Sequence, residues 1–137
     1  MDRAAYEDYL RRFNAKDYDG VLEHFTDDLE VVFAGYAFRS KPEVKAFYAF
    51  LHEHVREEIE VGRYLTDGST IALEAQVRIT GLKPADPAEL EARGLQRLVF
   101  PPPGVTVTIP QFIHYHLRDG RFARALCAIF EPGPPAA

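Results

Sequence analysis

The sequence predicts an α+β fold in which three N-terminal helices pack on a strongly curved antiparallel β-sheet and enclose a pocket. Apolar residues recur at helical spacing in the N-terminal part of the chain, and they alternate with polar residues in most of the C-terminal part. The stretch Phe13 to Phe33, FNAKDYDGVLEHFTDDLEVVF, has the pattern of a helix end, a short helix and a strand with a corner between each pair. Such tight turns favour a cone-shaped fold that is closed at one end.

Composition and charge limit the classes of function. At 137 residues the chain is predicted to form one domain, 1–137. The net charge of −5 argues against nucleic acid as a partner. A single cysteine, Cys127, fits a reducing cytoplasm, and no apolar stretch is long enough to span a membrane. The charged N-terminal residues do not resemble a signal peptide, so we expect a cytoplasmic protein without a membrane partner.

Each predicted helix has an apolar face and a start or stop signal. The first covers residues 3–15, and the second is short, with Asp17 or Asp19 as its cap and Thr26-Asp27-Asp28 as its end. The third begins at Ser40, where Pro42 and Glu43 match a helix start with a capping box. The apolar faces are Tyr6, Tyr9, Leu10 and Phe13; Val21, Leu22 and Phe25; and Val44, Phe47, Tyr48, Leu51 and Val55.

Five strands are predicted, and two Asp-Gly turns join four of them into hairpins. They cover residues 29–33, 58–65, 70–80, 105–117 and 121–130, with a loop at 35–40. Residues 82–104 form a proline-rich insert with a possible helical turn at 88–93. This insert is either a lid over the pocket or an ordered arm at a subunit contact. Residues 132–137 are predicted to be a frayed tail.

Three segments resemble the NTF2-like superfamily, and within it the SnoaL-like and ketosteroid-isomerase-like groups. They are the first helix with Tyr9, the corner NAKDYDGVLEHFTDD and the final hairpin DGRFARALCAIF. The resemblance covers nearly the whole chain except the insert. It implies a largely apolar pocket for a small hydrophobic molecule, and a homodimer joined through the outer face of the sheet. This fold hosts isomerases, dehydratases, cyclases, epoxide hydrolases and binding domains, so it does not select a reaction.

Two tyrosines of the ketosteroid isomerase site are matched in this sequence, whereas its two acidic residues are not. Tyr9 stands in the place of the oxyanion tyrosine of ketosteroid isomerases, in a motif similar to YxxxxNAxDxDG, and Tyr48 in that of a supporting tyrosine. The positions of the general-base aspartate and of the protonated aspartic acid fall on Phe33 and Ile113. Neither side chain accepts a proton, so an ordinary ketosteroid isomerase is not expected. Tyr9 is either a catalytic donor or a core residue whose hydroxyl meets Tyr48.

Strand alternation supplies the other candidate pocket residues. Residues separated from Ile113 by an even number of positions should face the pocket. Pro110 marks a strand edge or a bulge, and a bulge there would turn the residues before it to the opposite face. On the last strand Arg124 would bind an anion at the pocket mouth if its face is inward, and would otherwise be a solvated arginine. Cys127 falls on the other face and is expected to pack. The predicted substrate-binding residues are Phe33, Val77, Gln111, Ile113, Tyr115, Arg124, Leu126 and Phe130.

No general base is apparent from the sequence. Substrate-assisted chemistry, His24, or His114 or His116 in the opposite strand phase would have to supply one. His114 and His116 with Glu74 would form a metal site only with all three ligands in place, so no metal and no cofactor are expected. The acidic runs Asp27-Asp28 and Glu57-Glu58-Glu60 are interpreted as solvated charge at the end of a helix and the start of a strand.

The function predicted from these observations is the binding of a hydrophobic carbonyl compound. Catalysis would be a metal-independent isomerase, lyase or cyclase step, with a tyrosine as oxyanion donor. The alternative is a non-catalytic ligand-binding or dimerisation domain, because apolar side chains occupy both acid positions.

Overall fold

The computed structural model describes residues 1–129 of the chain, so Phe130 and the predicted tail at 132–137 lie outside the described residues. The described part contains four helices and six strands. The helices are α1 (Arg3–Asn14), α2 (Tyr18–Leu22), α3 (Lys41–His54) and α4 (Pro87–Ala92). The strands are β1 (Phe25–Phe33), β2 (Tyr36–Phe38), β3 (Val55–Thr66), β4 (Thr70–Gly81), β5 (Thr106–Arg118) and β6 (Arg121–Ile129).

The predicted helices are present, and side-chain caps fix where they begin. Asp17, not Asp19, caps α2 by accepting a hydrogen bond from the backbone N–H of Gly20 at 3.0 Å. Ser40 caps α3, and the Glu43 carboxylate accepts from the backbone N–H of Arg39 at 2.8 Å, one residue before the cap. The helical turn expected at 88–93 is α4. Within residues 1–129, no helix is long and apolar enough to cross a membrane.

The six strands form one sheet in the order β2-β1-β6-β5-β4-β3. The predicted α+β class is confirmed, and every neighbouring pair of strands is antiparallel except β1 and β6, which are parallel. The chain leaves β1 through β2 and α3 and builds the opposite edge of the sheet first. The last strand then fills the gap beside β1 and runs in the same direction.

Two of the boundaries that differ from the sequence prediction do so because strand pairing outweighs local turn signals. Residues 26–28, predicted to end a helix, lie within β1, where Phe25 pairs with Phe122. Part of the predicted loop at 35–40 forms β2, which pairs Val31 with Phe38. The first pairing joins residues far apart in the chain, and the second forms a hairpin strand of only three residues, which is too short to show alternation.

The helices cover one face of the sheet, and the core lies between them. The alternation predicted for β4 is confirmed, with Ile71, Leu73, Ala75 and Val77 buried. On β5 the buried residues are Gln111, Ile113 and Tyr115. The pairing of β4 with β5 runs without interruption through Pro110, opposite Gln76, so the expected bulge is absent there.

The insert at 82–104 is an ordered arm against the end of α3. The backbone N–H groups of Leu82 and Lys83 donate to the carbonyl of His54. Leu90 on α4 and Leu95 after it are buried in a second apolar cluster. The other buried members of that cluster are Phe47, Phe50, Leu51 and Val55. The arm then follows the rim of the cone, which places residues 97–100 beside the space between helices and sheet.

Candidate active site

A cavity of about 40 Å3, here called the inner cavity, lies between the three N-terminal helices and the sheet. Its volume holds a group of a few atoms, such as a carbonyl, rather than a whole substrate. Most of its wall is aromatic or aliphatic. The lining residues are Tyr9, Phe13, Val21, Phe25, Val31, Phe33, Val44, Phe47, Tyr48, Leu51, Glu57, Ile59, Gln111, Ile113, Tyr115, Ala125 and Cys127.

A second space of about 200 Å3, here called the outer chamber, adjoins the inner cavity under the insert. The two share the side chains of Phe33, Leu51, Glu57 and Gln111 as walls. The roof of the outer chamber is insert residues 97–100. The remaining lining residues are Ala34, Ile79, Ile109 and Ile129. The two spaces together are large enough for a small bicyclic molecule.

Six of the ten predicted site residues line the inner cavity. They are Tyr9, Phe33, Tyr48, Gln111, Ile113 and Tyr115. Val77 is buried within the sheet and lines neither space. Phe130 lies outside the described residues. The predicted site residues therefore include all three lining residues of β5, one of the two from α1 and one of the four from α3.

The prediction that Arg124 and Leu126 face the pocket was wrong. Ala125 and Cys127 line the inner cavity instead, and the Arg124 Nε atom donates to Glu30 Oε1 at 2.9 Å on the other face. Alternation counted from Phe130 grouped Arg124 with Leu126, but it does not say which of the two strand faces is inward, and the face of Ala125 and Cys127 lines the cavity. An extra residue at Ala123, where the pairing with β5 shifts register, also prevents the buried Phe122 from marking the inward face of the residues beyond it.

Tyrosine side chains pack together beside the inner cavity. The hydroxyls of Tyr6 and Tyr115 lie 2.9 Å apart, and the ring of Tyr9 packs edge-on against that of Tyr115 with ring centres 6.3 Å apart. Burial raises the pKa of Tyr9, Tyr48 and Tyr115 well above the ordinary value for tyrosine. All three therefore stay neutral and keep a proton to donate at physiological pH.

One carboxylate and one imidazole form a buried pair at this site. Glu57 lines both spaces, and its Oε1 atom lies 3.0 Å from Nε2 of His52. The other ring nitrogen of His52, Nδ1, lies 2.7 Å from the hydroxyl of Tyr18. Only 8% of Glu57 and 6% of His52 is exposed. Both nitrogens thus have partners, and the ring holds the carboxylate in place at the cavity wall.

The sequence interpretation missed Glu57 because it began the strand three residues too late. With β3 starting at Val55, alternation turns Val55, Glu57 and Ile59 inward, and it turns Arg56 and Glu58 outward. The run VREEIEV carries this signal, since apolar residues flank Glu57 at intervals of two. Interpreting Glu57 as solvated charge was wrong. His52, on α3, had no signal beyond its helical position.

The histidines considered as alternative bases do not line either space. His24 packs edge-on against Tyr9 with ring centres 5.6 Å apart, and burial together with Arg12 lowers its pKa. His114 lies on the outer face of the sheet, in a shallow groove with Glu74. His116 follows it on the same face of β5, two residues along. Within residues 1–129, no group of three or more His, Cys, Asp or Glu side chains is arranged to hold a metal ion.

A curved sheet closed by helices over an internal cavity places this protein in the NTF2-like class of α+β proteins. The profile of the SnoaL-like domain matches residues 6–125, so the chain belongs to the SnoaL-like domain family. No curated protein matches the chain.

Solved structures share this fold at low sequence identity. An NTF2-like protein of unknown function from Burkholderia pseudomallei superposes with a TM-score of 0.73 at 15% identity, covering 95% of this chain and 92% of that one. A proposed polyketide cyclase from Silicibacter gives 0.70 at 23% identity, covering 89% and 83%. TerC, co-crystallised with polyporic acid, gives 0.67 at 14% identity, covering 89% and 85%. Likeness at this level of identity shows the fold alone.

Alkylation of Cys127, the single cysteine, by iodoacetamide tests whether the inner cavity is closed. Burial raises the pKa of this thiol to about 12, and nearby Glu57 adds to the rise. Only the thiolate reacts, so at about pH 8 the folded protein should react about 10³-fold more slowly than the urea-unfolded chain. The folded rate should then rise about tenfold with each pH unit while the fold persists. Equal rates for folded and unfolded protein would contradict a closed cavity.

Proposed function

We propose that this protein binds a small apolar carbonyl compound and moves a proton on it, in an isomerase, lyase or cyclase type of reaction. One observation carries the proposal: the Glu57 carboxylate, held by His52, lines a mainly apolar cavity that tyrosine hydroxyls also line. A base and hydrogen-bond donors around one small space are what proton abstraction next to a carbonyl requires.

Each group has a distinct role in this proposal. Glu57 removes a proton from the carbon next to the carbonyl, and so replaces the acids missing at Phe33 and Ile113. A hydroxyl of Tyr9, Tyr48 or Tyr115 donates to the carbonyl oxygen as negative charge develops on it. His52 positions the Glu57 carboxylate.

The remaining walls support binding of an apolar molecule. The Gln111 side chain belongs to both the inner cavity and the outer chamber, where it can bind a polar substituent of the ligand. The outer chamber of about 200 Å3 would hold the body of the ligand, and the inner cavity of about 40 Å3 its carbonyl. The substrate is therefore expected to be an apolar ring compound with a single reactive carbonyl end.

The second candidate is a non-catalytic ligand-binding domain. The hydroxyls of Tyr6 and Tyr115 are already hydrogen-bonded to each other, and the inner cavity is small. We also propose a homodimer joined through the outer sheet face, where Leu65 and Phe112 are large exposed apolar side chains. The single cysteine and the acidic net charge support a cytoplasmic location.

Titration with para-nitrophenol separates the two functions, because its ionised form is coloured and resembles an enolate. The wild type, Glu57→Gln, and Glu57→Gln with Tyr9→Phe are compared. Removing the Glu57 charge should increase the ionised fraction of bound phenol, and removing the Tyr9 donor should then lower it. Tyr64→Phe is the control, since its hydroxyl donates to the Met1 carbonyl away from both spaces.

Three results are informative. A change in the ionised fraction with both substitutions supports the enzyme. Binding with the same ionised fraction in all variants supports the non-catalytic domain. No binding to any variant would refute a ligand site in these two spaces.

A further inference from the structure

We propose that the ligand of this site carries an anionic group, such as a carboxylate, and that Arg97 binds it at the mouth of the outer chamber. This inference rests on the proposed function, which places an apolar ligand in the chamber, and it adds the chemical class of that ligand.

Arg97 is held in position by contacts that leave part of its guanidinium group available. The guanidinium carbon lies 4.9 Å from the centre of the Tyr36 ring. The Nη2 atom donates to the carbonyl of Gly35 at 3.1 Å, and the backbone N–H of Arg97 donates to the Tyr36 hydroxyl at 3.2 Å. A guanidinium group that is already held in place loses less conformational entropy on binding an anion than a freely rotating one does.

The turn between β1 and β2 leaves room for the guanidinium group of Arg97 because it has glycine at position 35. Gly35 has a φ of +82°, in the left-handed region that favours glycine. A Cβ atom at this position would lie 2.9 Å from Nη1 of Arg97. Glycine therefore allows the turn between β1 and β2. It also allows the guanidinium group of Arg97 to pack directly on the backbone of this turn.

The two ionisable residues that line the outer chamber differ in whether they have a partner of opposite charge. Among the described residues that line the chamber, Glu57 and Arg97 are the ionisable ones. Glu57 is paired with His52, whereas Arg97 has no carboxylate within ion-pair distance among residues 1–129. Arg93, on the same arm, is paired with Glu89. Among residues 1–129, a positive charge without a carboxylate partner thus borders an apolar space.

This arrangement selects one orientation of the ligand. A carboxylate placed deep in the chamber would approach Glu57 and be repelled, whereas at the mouth it meets a guanidinium suited to bidentate binding. The apolar body then lies against Leu98, Phe100 and Ile109. The favoured class is an aromatic or alicyclic carboxylate whose reactive end points toward the inner cavity.

The test compares two ligands of the same shape, naphthoate and the neutral acetylnaphthalene, by their intrinsic fluorescence. Wild type, Arg97→Gln and Arg63→Gln are titrated with each. The wild type should bind naphthoate about tenfold more tightly than the ketone, since charge-assisted hydrogen bonds exceed neutral ones. Arg97→Gln should lose this preference and keep its affinity for the ketone. Arg63 lies in the outer-face groove, so its variant should keep the preference.

The other outcomes refute specific parts of the inference. If the wild type shows no preference for naphthoate, or if Arg97→Gln retains it, the anion site is wrong and the apolar ligand site stands. If Arg97→Gln loses both ligands equally, Arg97 only supports the roof and the anion site is again wrong. If neither ligand binds the wild type, the anion site and the proposed function both fail.

Discussion

Replacing Glu57 with glutamine is expected to lower the rate of proton abstraction in the cavity by about 10²–10⁴-fold. Glutamine has nearly the same shape and keeps an oxygen for His52, but it does not accept a proton. Nitrobenzisoxazole is a suitable probe that needs no knowledge of the natural substrate. A base takes the proton from its carbon, the ring N–O bond breaks, and a coloured cyanonitrophenolate forms.

The neighbouring residue supplies a matched control for this prediction. Glu58 points to the outer side of β3 and pairs with Arg56 and Arg78, so Glu58→Gln should leave the rate unchanged. Equal rates for Glu57→Gln and wild type would show that the base is another group. A wild-type rate no higher than that of buffer, in a protein that binds para-nitrophenol, would favour the non-catalytic candidate.

Replacing His52 with alanine is expected to reduce the free energy of unfolding by about 3–5 kcal/mol, because it leaves the Glu57 carboxylate buried without its partner. The imidazole also packs against Phe13 and Tyr48, with ring centres 5.9 Å and 5.6 Å away. The substitution therefore opens a void between α3 and the sheet as well. Urea unfolding followed by circular dichroism measures the change.

A double substitution separates loss of the charge partner from loss of packing. His52→Leu combined with Glu57→Leu removes both polar groups while keeping apolar volume, so it should recover most of the stability. Glu53→Ala, on the exposed side of α3, is the control and should change stability by less than about 0.5 kcal/mol. A cost below about 1 kcal/mol for His52→Ala would show that the pair is not a strongly coupled buried one.

The same rule of alternation succeeded on one strand and failed on its neighbour. Counting back from the turn at Asp119-Gly120 placed Gln111, Ile113 and Tyr115 on the cavity side, where the structure has them. On β6 the count from Phe130 grouped Arg124 with Leu126 but assigned the wrong face to the pocket, and the bulge at Ala123 removes the buried Phe122 as a guide to the inward face. Alternation is reliable only where the strand pairs without a bulge.

The sequence by itself determined the fold class, the three N-terminal helices with the cap of the third, and the faces of β4 and β5. These features depend on local periodicity and on side chains that hydrogen-bond to backbone a few residues away. Only the tertiary structure decided which charged groups enter the site. His52 and Glu57 are only five residues apart, but their pairing depends on the exact junction of α3 with β3 and on the packing that buries both side chains. The contact of Arg97 with the Gly35 backbone joins residues far apart in the chain. Burial of a charge depends on such packed contacts, because only the folded chain removes the water that otherwise solvates it.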